Sequence, residues 1–202
     1  TVLVLADFAM QLGEGLFGIE EENRMLAALG RAYPGRLIPF LGVDPQRVGA
    51  LELFRKGLDE WGVAGLKLHP ATGFFPYEPE CRPLFDLAGR RGVPVLVHTG
   101  PMVAPLLSRM GQPVNLDDVA ADFPGTRIIM AHAGLCWWRE ALEIAWHNPN
   151  ILLELSCWQW TFLRSPGEFV HAITTMKDSI GAHRILFGSD FPALRRAMPL
   201  KS

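Results

Sequence analysis

The sequence predicts an α/β fold of the (β/α)8 barrel type, incomplete, with seven strands that can be recognised. Short apolar runs alternate with amphipathic stretches from end to end of the chain. This alternation predicts right-handed βαβ crossovers and a parallel sheet, and the spacing between runs, about 25 to 35 residues, matches one βαβ unit. Reactive side chains follow several of these runs, which is typical of the catalytic edge of such a barrel.

The seven apolar runs each have the length and the Val, Ile and Leu content of a buried parallel strand. They are residues 2–5, 37–41, 65–69, 93–98, 127–132, 151–156 and 184–187. An open doubly wound sheet would also accept seven strands, whereas a closed barrel needs eight. No GxGxxG or GxxxxGK[ST] motif follows any run, so the nucleotide-binding versions of the open sheet lack their phosphate loop.

The predicted helices lie between these runs and begin at residues that favour helix N-termini. Glu20 heads an acidic first turn, and Asp44 followed by Pro45 predicts a helix over residues 47–61. Pro79 and Pro166 open two further helices. Glycines stand just after three predicted helix ends, where a left-handed residue is favoured, namely Gly62, Gly92 and Gly181.

Composition limits the classes of protein that the chain can represent. Hydrophobic residues make up 49% of the 202 residues and the net charge is −2, which predicts one globular domain over residues 1–202 and argues against a nucleic-acid partner. No apolar run reaches the ~18–20 residues that cross a bilayer. We expect no membrane partner and a cytoplasmic location. Cys81, Cys136 and Cys157 form no CxxC pair, so we interpret them as reduced, small core residues.

Reactive groups stand at the ends of four runs. His69, His98, His132 and Asp190 each complete one, and Lys67 precedes His69 on the same side of its strand. In a barrel of this type, such side chains converge on one pocket. A single histidine there is more often structural, but the repetition favours a functional site. Imidazole and carboxylate are ligands for a divalent metal such as zinc.

The succession GLKLHP, PVLVHTG, IIMAHAG, ILLELS and RILFGSDFP resembles the amidohydrolase-related family of TIM-barrel metal-dependent hydrolases, which also contains decarboxylases. The resemblance runs over residues 2–192. It implies that His98 is a metal ligand, that His132 is catalytic, and that Asp190 both binds the metal and transfers protons. It also implies a divalent cofactor, with Zn2+ expected first and Mn2+ as the alternative.

The sequence departs from this family at both ends. The His-x-His motif of the family's first strand is absent, and the chain stops twelve residues after Asp190. We therefore expect a domain truncated at both ends relative to the family. Strand 2–5 would then either pair with residues 185–187 or form an edge used in self-association, and we expect a homo-oligomer.

The function that the resemblance implies is hydrolysis of a C–O or C–N bond, in an ester, lactone or amide of a small molecule. Decarboxylation of a carboxylated aromatic or muconate-like substrate is one alternative, and a non-catalytic barrel remnant with a binding role is another. Lys67, His69 and Trp158 are the expected substrate contacts. For Lys67 a carbamylated bridge between two metals, and for His69 a loop cap, stay open as alternatives.

Overall fold

The computed structural model describes residues 1–191 of the chain, and all seven predicted strands are present in it. Their ends differ from the predicted ones by no more than two residues. The strands are β1 Val2–Val4, β2 Ile38–Gly42, β3 Leu66–Leu68, β4 Val95–His98, β5 Ile128–Ala131, β6 Ile151–Glu154 and β7 Ile185–Leu186.

The seven strands form one parallel sheet in the order of the sequence, β1-β2-β3-β4-β5-β6-β7. Every crossover leads to the adjacent strand, as in a barrel, and the order never reverses as it does in a doubly wound sheet. The fold is therefore an incomplete (β/α)8 barrel. Within residues 1–191, β1 pairs only with β2 and β7 only with β6, so the expected pairing of residues 2–5 with 185–187 is wrong. The barrel geometry closes with eight strands, and seven leave a gap.

The helices lie in the crossovers and at the ends of strands. They are α1 Ala9–Leu12, α2 Ile19–Ala32, α3 Ala50–Lys56, α4 Arg82–Arg91, α5 Asp117–Asp122, α6 Trp138–His147, α7 Trp158–Arg164 and α8 Pro166–Ile180. A π-helical turn, Gly57–Trp61, continues α3. No helix of the described chain is long and apolar enough to cross a membrane.

The helix predicted over residues 47–61 begins three residues later than expected, at Ala50. The reason is the side chain of Asp44, which serves a turn instead of a helix N-terminus. Its Oδ1 accepts a hydrogen bond from the backbone N–H of Gln46, and its Oδ2 accepts one from the hydroxyl of Thr72. The other end is as predicted, because Gly62 takes the left-handed conformation with φ 72°.

The core lies on one face of the sheet and leaves the other face for chemistry. Two residues in each of the four strands β3–β6 have no exposed surface and belong to the hydrophobic core, namely Leu66, Leu68, Val95, Val97, Ile128, Met130, Ile151 and Leu153. Side chains alternate between faces along a strand. Lys67, His98 and Glu154 therefore point to the opposite face, the interior of the barrel.

Candidate functional site

A row of three buried imidazoles lies at the carboxyl edge of the central strands. The rings of His69 and His98 are stacked with their centroids 4.2 Å apart, and the His132 ring meets His98 edge-on at 5.0 Å. The ring of Phe8 closes the row with an edge contact to His69 at 4.6 Å. The predicted convergence of these three histidines is confirmed as a matter of geometry.

All three imidazoles are neutral near pH 7, because burial disfavours their charged forms. Burial, reinforced by the charge of Lys67, lowers the pKa of His69 to about 3. Burial also lowers the pKa of His98 well below its usual value, and lowers that of His132 against the opposing influence of Glu154 and Asp190. A neutral imidazole has a free lone pair, so each ring is able to accept a proton or bind a metal.

The tautomer of His132 follows from its contacts with β6. The hydroxyl of Ser156 donates its one proton to Glu154 Oε2 at 2.7 Å. The same hydroxyl oxygen lies 2.8 Å from His132 Nδ1 and therefore accepts the Nδ1 proton. The lone pair of His132 is consequently on Nε2. This Glu154–Ser156–His132 chain orients the ring as carboxylates orient metal-ligating histidines.

Several further hydrogen bonds hold the Glu154–Ser156–His132 hydrogen-bond chain in place. Glu154 also accepts hydrogen bonds from the backbone N–H groups of His132 and Ser156, at 3.1 and 2.8 Å. The indole N–H of Trp158 donates to the carbonyl of His132 at 2.7 Å. Gly188 is required beside Glu154, because a Cβ at that position would overlap Glu154 Oε1. The loops after β5, β6 and β7 are thus tied together at one point.

Three potential metal donors from these loops meet next to the imidazole row. One donor atom each from His132, Cys157 and Asp190 lies within 4.8 Å of the other two. The thiol of Cys157 donates to Asp190 Oδ2 at 3.3 Å. All three residues have left-handed backbone conformations, with φ of 66°, 67° and 51°. Such conformations are costly for non-glycine residues and cluster at functional sites.

The residues at this edge fit a divalent cation. The cluster of His132, Cys157 and Asp190 joins nitrogen, sulfur and oxygen donors, a combination that suits zinc. In the adjoining imidazole row, the buried Nδ1 of His69 has no hydrogen-bond partner among residues 1–191, although buried polar atoms in proteins are nearly always satisfied. His98 is adjacent to this cluster but lies outside the three-donor group. Its Nε2 is 3.3 Å from the carbonyl of Gly100.

Lys67 projects into the same interior and is buried. Burial lowers the pKa of its ammonium group to about 8, against the favourable charges of Glu154 and Asp190. The structure therefore brings Lys67, His69, His98, His132 and Asp190 together, as predicted. Burial in the interior is compatible with the expected substrate contact of Lys67.

Trp158 is placed differently from the other predicted residues. It is 1% exposed and contacts the backbone of His132. It also forms part of the wall of an apolar cavity of about 390 Å3 beside the cluster. That cavity is lined by Leu155, Trp158, Gln159, Phe162, Leu163, Phe169 and Phe187.

A second polar network at the ends of β1 and β2 was not predicted. The guanidinium of Arg47 donates to both carboxylate oxygens of Asp7, at 2.6 and 3.0 Å, and to Glu14 at 2.6 Å. Asp7 Oδ2 also accepts the backbone N–H of Asp44 at 2.8 Å. Asp7 precedes Phe8, so the network positions the aromatic ring that covers His69.

Glu154, Ser156 and Cys157 are the site residues that the sequence analysis missed. The signal for Glu154 was available, because it ends the apolar run ILLE as the histidines end theirs. The interpretation of the cysteines as core residues holds for Cys81, which is buried. It is wrong for Cys136, which is exposed, and for Cys157, which is half-buried in the site, because both follow their strands in loops at the carboxyl edge.

Comparison with known proteins identifies the family and the fold of the chain. A family model described as amidohydrolase matches residues 11–202. No curated protein matches the chain. Solved structures do match the chain. One is an uncharacterised TIM-barrel protein from Bordetella bronchiseptica, with 24% identity over 89% of this chain and 66% of that one, at a TM-score of 0.71.

Two further structures show the same fold. An amidohydrolase from Burkholderia multivorans has 17% identity over 96% of this chain and 69% of its own, at a TM-score of 0.65. A dihydroorotase from Campylobacter jejuni has 18% identity over 84% of this chain and 56% of its own, at a TM-score of 0.55. The chain thus spans between about half and two thirds of these proteins. Because the family model matches nearly all of its residues, the chain belongs to the amidohydrolase family.

Proposed function

We propose that this protein is a metal-dependent hydrolase that cleaves a C–O or C–N bond in an ester, lactone or amide of a small molecule. One observation carries the proposal. Neutral imidazoles and the Asp190 carboxylate converge at the carboxyl edge of a parallel barrel-type sheet, where enzymes of this fold hold their active sites.

Asp190, His132 and His98 are the residues that would hold a divalent cation, with zinc as the first candidate and manganese as the second. When bound, such a cation supplies Lewis acidity, which polarises a carbonyl group and acidifies water. The protein supplies the orientation of its ligands. Ser156 and Glu154 fix the His132 ring, and the thiol of Cys157 donates a hydrogen bond to the Asp190 carboxylate.

His132 is a ligand in this proposal, and its one lone pair, on Nε2, cannot bind a metal and carry a proton together. The proton transfer expected of His132 therefore falls to Asp190, whose carboxylate would accept a proton from the attacking water and return it to the leaving group. Lys67, whose ammonium group is buried in the same interior, would hold a substrate oxygen or carboxylate. His69 and Trp158 would shape the wall of the binding site.

The open sheet supports a second candidate function, binding of a small molecule without turnover. In the described chain the outer edges of β1 and β7 have no partner strand. A site bounded by open edges holds its residues less rigidly, and catalysis depends on rigid placement.

Elemental analysis and a substrate panel distinguish these possibilities. For a hydrolase we expect near-stoichiometric zinc or manganese in the purified protein and turnover of at least one ester, lactone or amide. A chelator should abolish that turnover and added metal should restore it. Release of carbon dioxide from carboxylated aromatic substrates, without hydrolysis, would instead indicate a decarboxylase. A protein that neither binds metal nor turns over any substrate after metal addition would indicate the binding role.

A further inference from the structure

We infer that Cys157 is a metal ligand, and that its thiolate binds the divalent cation together with His132 and Asp190. This inference rests on the metal dependence in the proposed function and adds a sulfur donor to it. The three residues come from separate loops, after β5, β6 and β7, so their convergence does not follow from proximity in the sequence.

The spacing of the three donors suits a tetrahedral site. In such a site, zinc–sulfur and zinc–oxygen bonds of about 2.3 and 2.1 Å place sulfur and oxygen about 3.6 Å apart. Cys157 Sγ and Asp190 Oδ2 are 3.3 Å apart, and no pair of the three donor atoms exceeds 4.8 Å. A contraction of about 1 Å at the widest pair would complete the geometry.

The charges and orientations agree with this assignment. A thiolate and a carboxylate together neutralise a divalent cation, and the thiol proton passes to solvent as the metal binds. His132 contributes a neutral ring whose Nδ1 is held by Ser156, which leaves Nε2 for the metal. Cys157 keeps its left-handed φ of 67° although its side chain is half-buried and makes one hydrogen bond, to Asp190.

A sulfur ligand also predicts which cation the site prefers. Thiolates favour zinc, whereas manganese and magnesium favour oxygen ligands. The other two cysteines are separate from the cluster. Cys81 is buried and donates to the carbonyl of Phe75 at 3.5 Å, and Cys136 is exposed.

Cobalt substitution tests this assignment by absorption spectroscopy, independently of any activity. Co2+ is added to the metal-stripped chain, and a thiolate ligand gives a sulfur-to-cobalt charge-transfer band in the near ultraviolet. We expect the band in the wild type and in the Cys81→Ala/Cys136→Ser double variant, where Cys157 is the one remaining thiol. We expect no band in Cys157→Ser, together with at least about a tenfold loss of zinc affinity and a smaller loss of manganese affinity.

The experiment distinguishes failure of the Cys157 ligand from failure of the proposed metal site. Cobalt binding without the band in the wild type would overturn the thiolate ligand but leave the metal site of the proposed function intact. Persistence of the band in Cys157→Ser would also overturn it. Absence of cobalt binding to the wild type would overturn both. The double variant leaves the cluster unaltered, so its result does not depend on how well Cys157→Ser folds.

Discussion

The central strands of the sheet are buried, whereas its edge strands are more exposed. Val97 in β4 has no exposed surface, whereas Val2 in β1 is 45% exposed and Phe187, just after β7, is 85% exposed. His69 and His132 follow the central strands β3 and β5 and His98 ends β4, while Asp190 follows the edge strand β7. The candidate site therefore joins an imidazole half that the core holds rigidly to a carboxylate half that depends on a few contacts.

This difference predicts where substitutions act on chemistry and where they act on stability. Changes in the central strands should affect the folding of the whole sheet. Changes at the β7 edge should affect the site while the rest of the molecule remains folded.

The largest effect is expected for Asp190→Asn. The amide is a poorer metal ligand and no base, so turnover should fall by about 10²–10⁴-fold and metal content should fall with it. In metal-free protein the free energy of unfolding should change by less than about 0.5 kcal/mol, because Asp190 is half-buried at the edge. Asp178→Asn, which removes an exposed carboxylate in α8, is the control and should change neither quantity. Turnover and metal content within a few-fold of the wild type would contradict the role of Asp190.

Lys67→Met probes the buried charge at the centre. The folded-state pKa of about 8 is below the ordinary value of 10.5, so the unfolded chain binds the proton more tightly. The destabilisation is complete below pH 8 and is relieved as the pH rises from 8 to 10.5.

In metal-free protein, Lys67→Met should therefore be more stable than the wild type at pH 7, and this advantage should shrink by up to about 3 kcal/mol by pH 10.5. Urea titrations at several pH values measure the difference. An advantage that does not vary with pH would show that the Lys67 pKa is the same in both states.

A matched pair of valines tests the comparison directly. Val97→Ala removes two methyl groups from the closed core and should lower the free energy of unfolding by about 2–3 kcal/mol. Val2→Ala removes the same groups from the exposed edge and should cost less than about 0.5 kcal/mol. Equal costs in urea denaturation would mean that the outer edge of β1 is covered in solution.

Gly188→Ala should reduce turnover less than Asp190→Asn does. The new Cβ would displace the Glu154 carboxylate that holds Ser156 and His132, and we expect about a tenfold loss of turnover. Gly125→Ala is the control, because a Cβ there meets nothing within 4 Å. Equal activity of the two variants would show that Glu154 does not need its present position.

Most of the fold could be predicted because each strand is one continuous apolar run, as ILLE in β6 and VLVH in β4 show. The histidines could be predicted as a group because strand ends in this fold meet at one edge. The choice between the two alternatives for strand 2–5, a pair with residues 185–187 or an open edge, could not be predicted, because pairing between distant strands depends on barrel curvature and leaves no local pattern.

The contribution of Cys157 was also beyond prediction from the sequence. Its thiol contacts Asp190 where both residues adopt left-handed backbone conformations, and the identity of a cysteine or an aspartate does not predict such a conformation. The Glu154–Ser156–His132 chain likewise depends on the register between β5 and β6, in which Met130 lies opposite Leu153.

At His132, Cys157 and Asp190, the left-handed backbone conformation also sets stability against activity. Glycine adopts such a backbone without the roughly 1–2 kcal/mol penalty of other residues. Selection for thermostability alone would therefore favour glycine at these positions and discard the donors one by one. A library intended to stabilise this protein should hold the three residues constant, since its most stable members would otherwise be its least active.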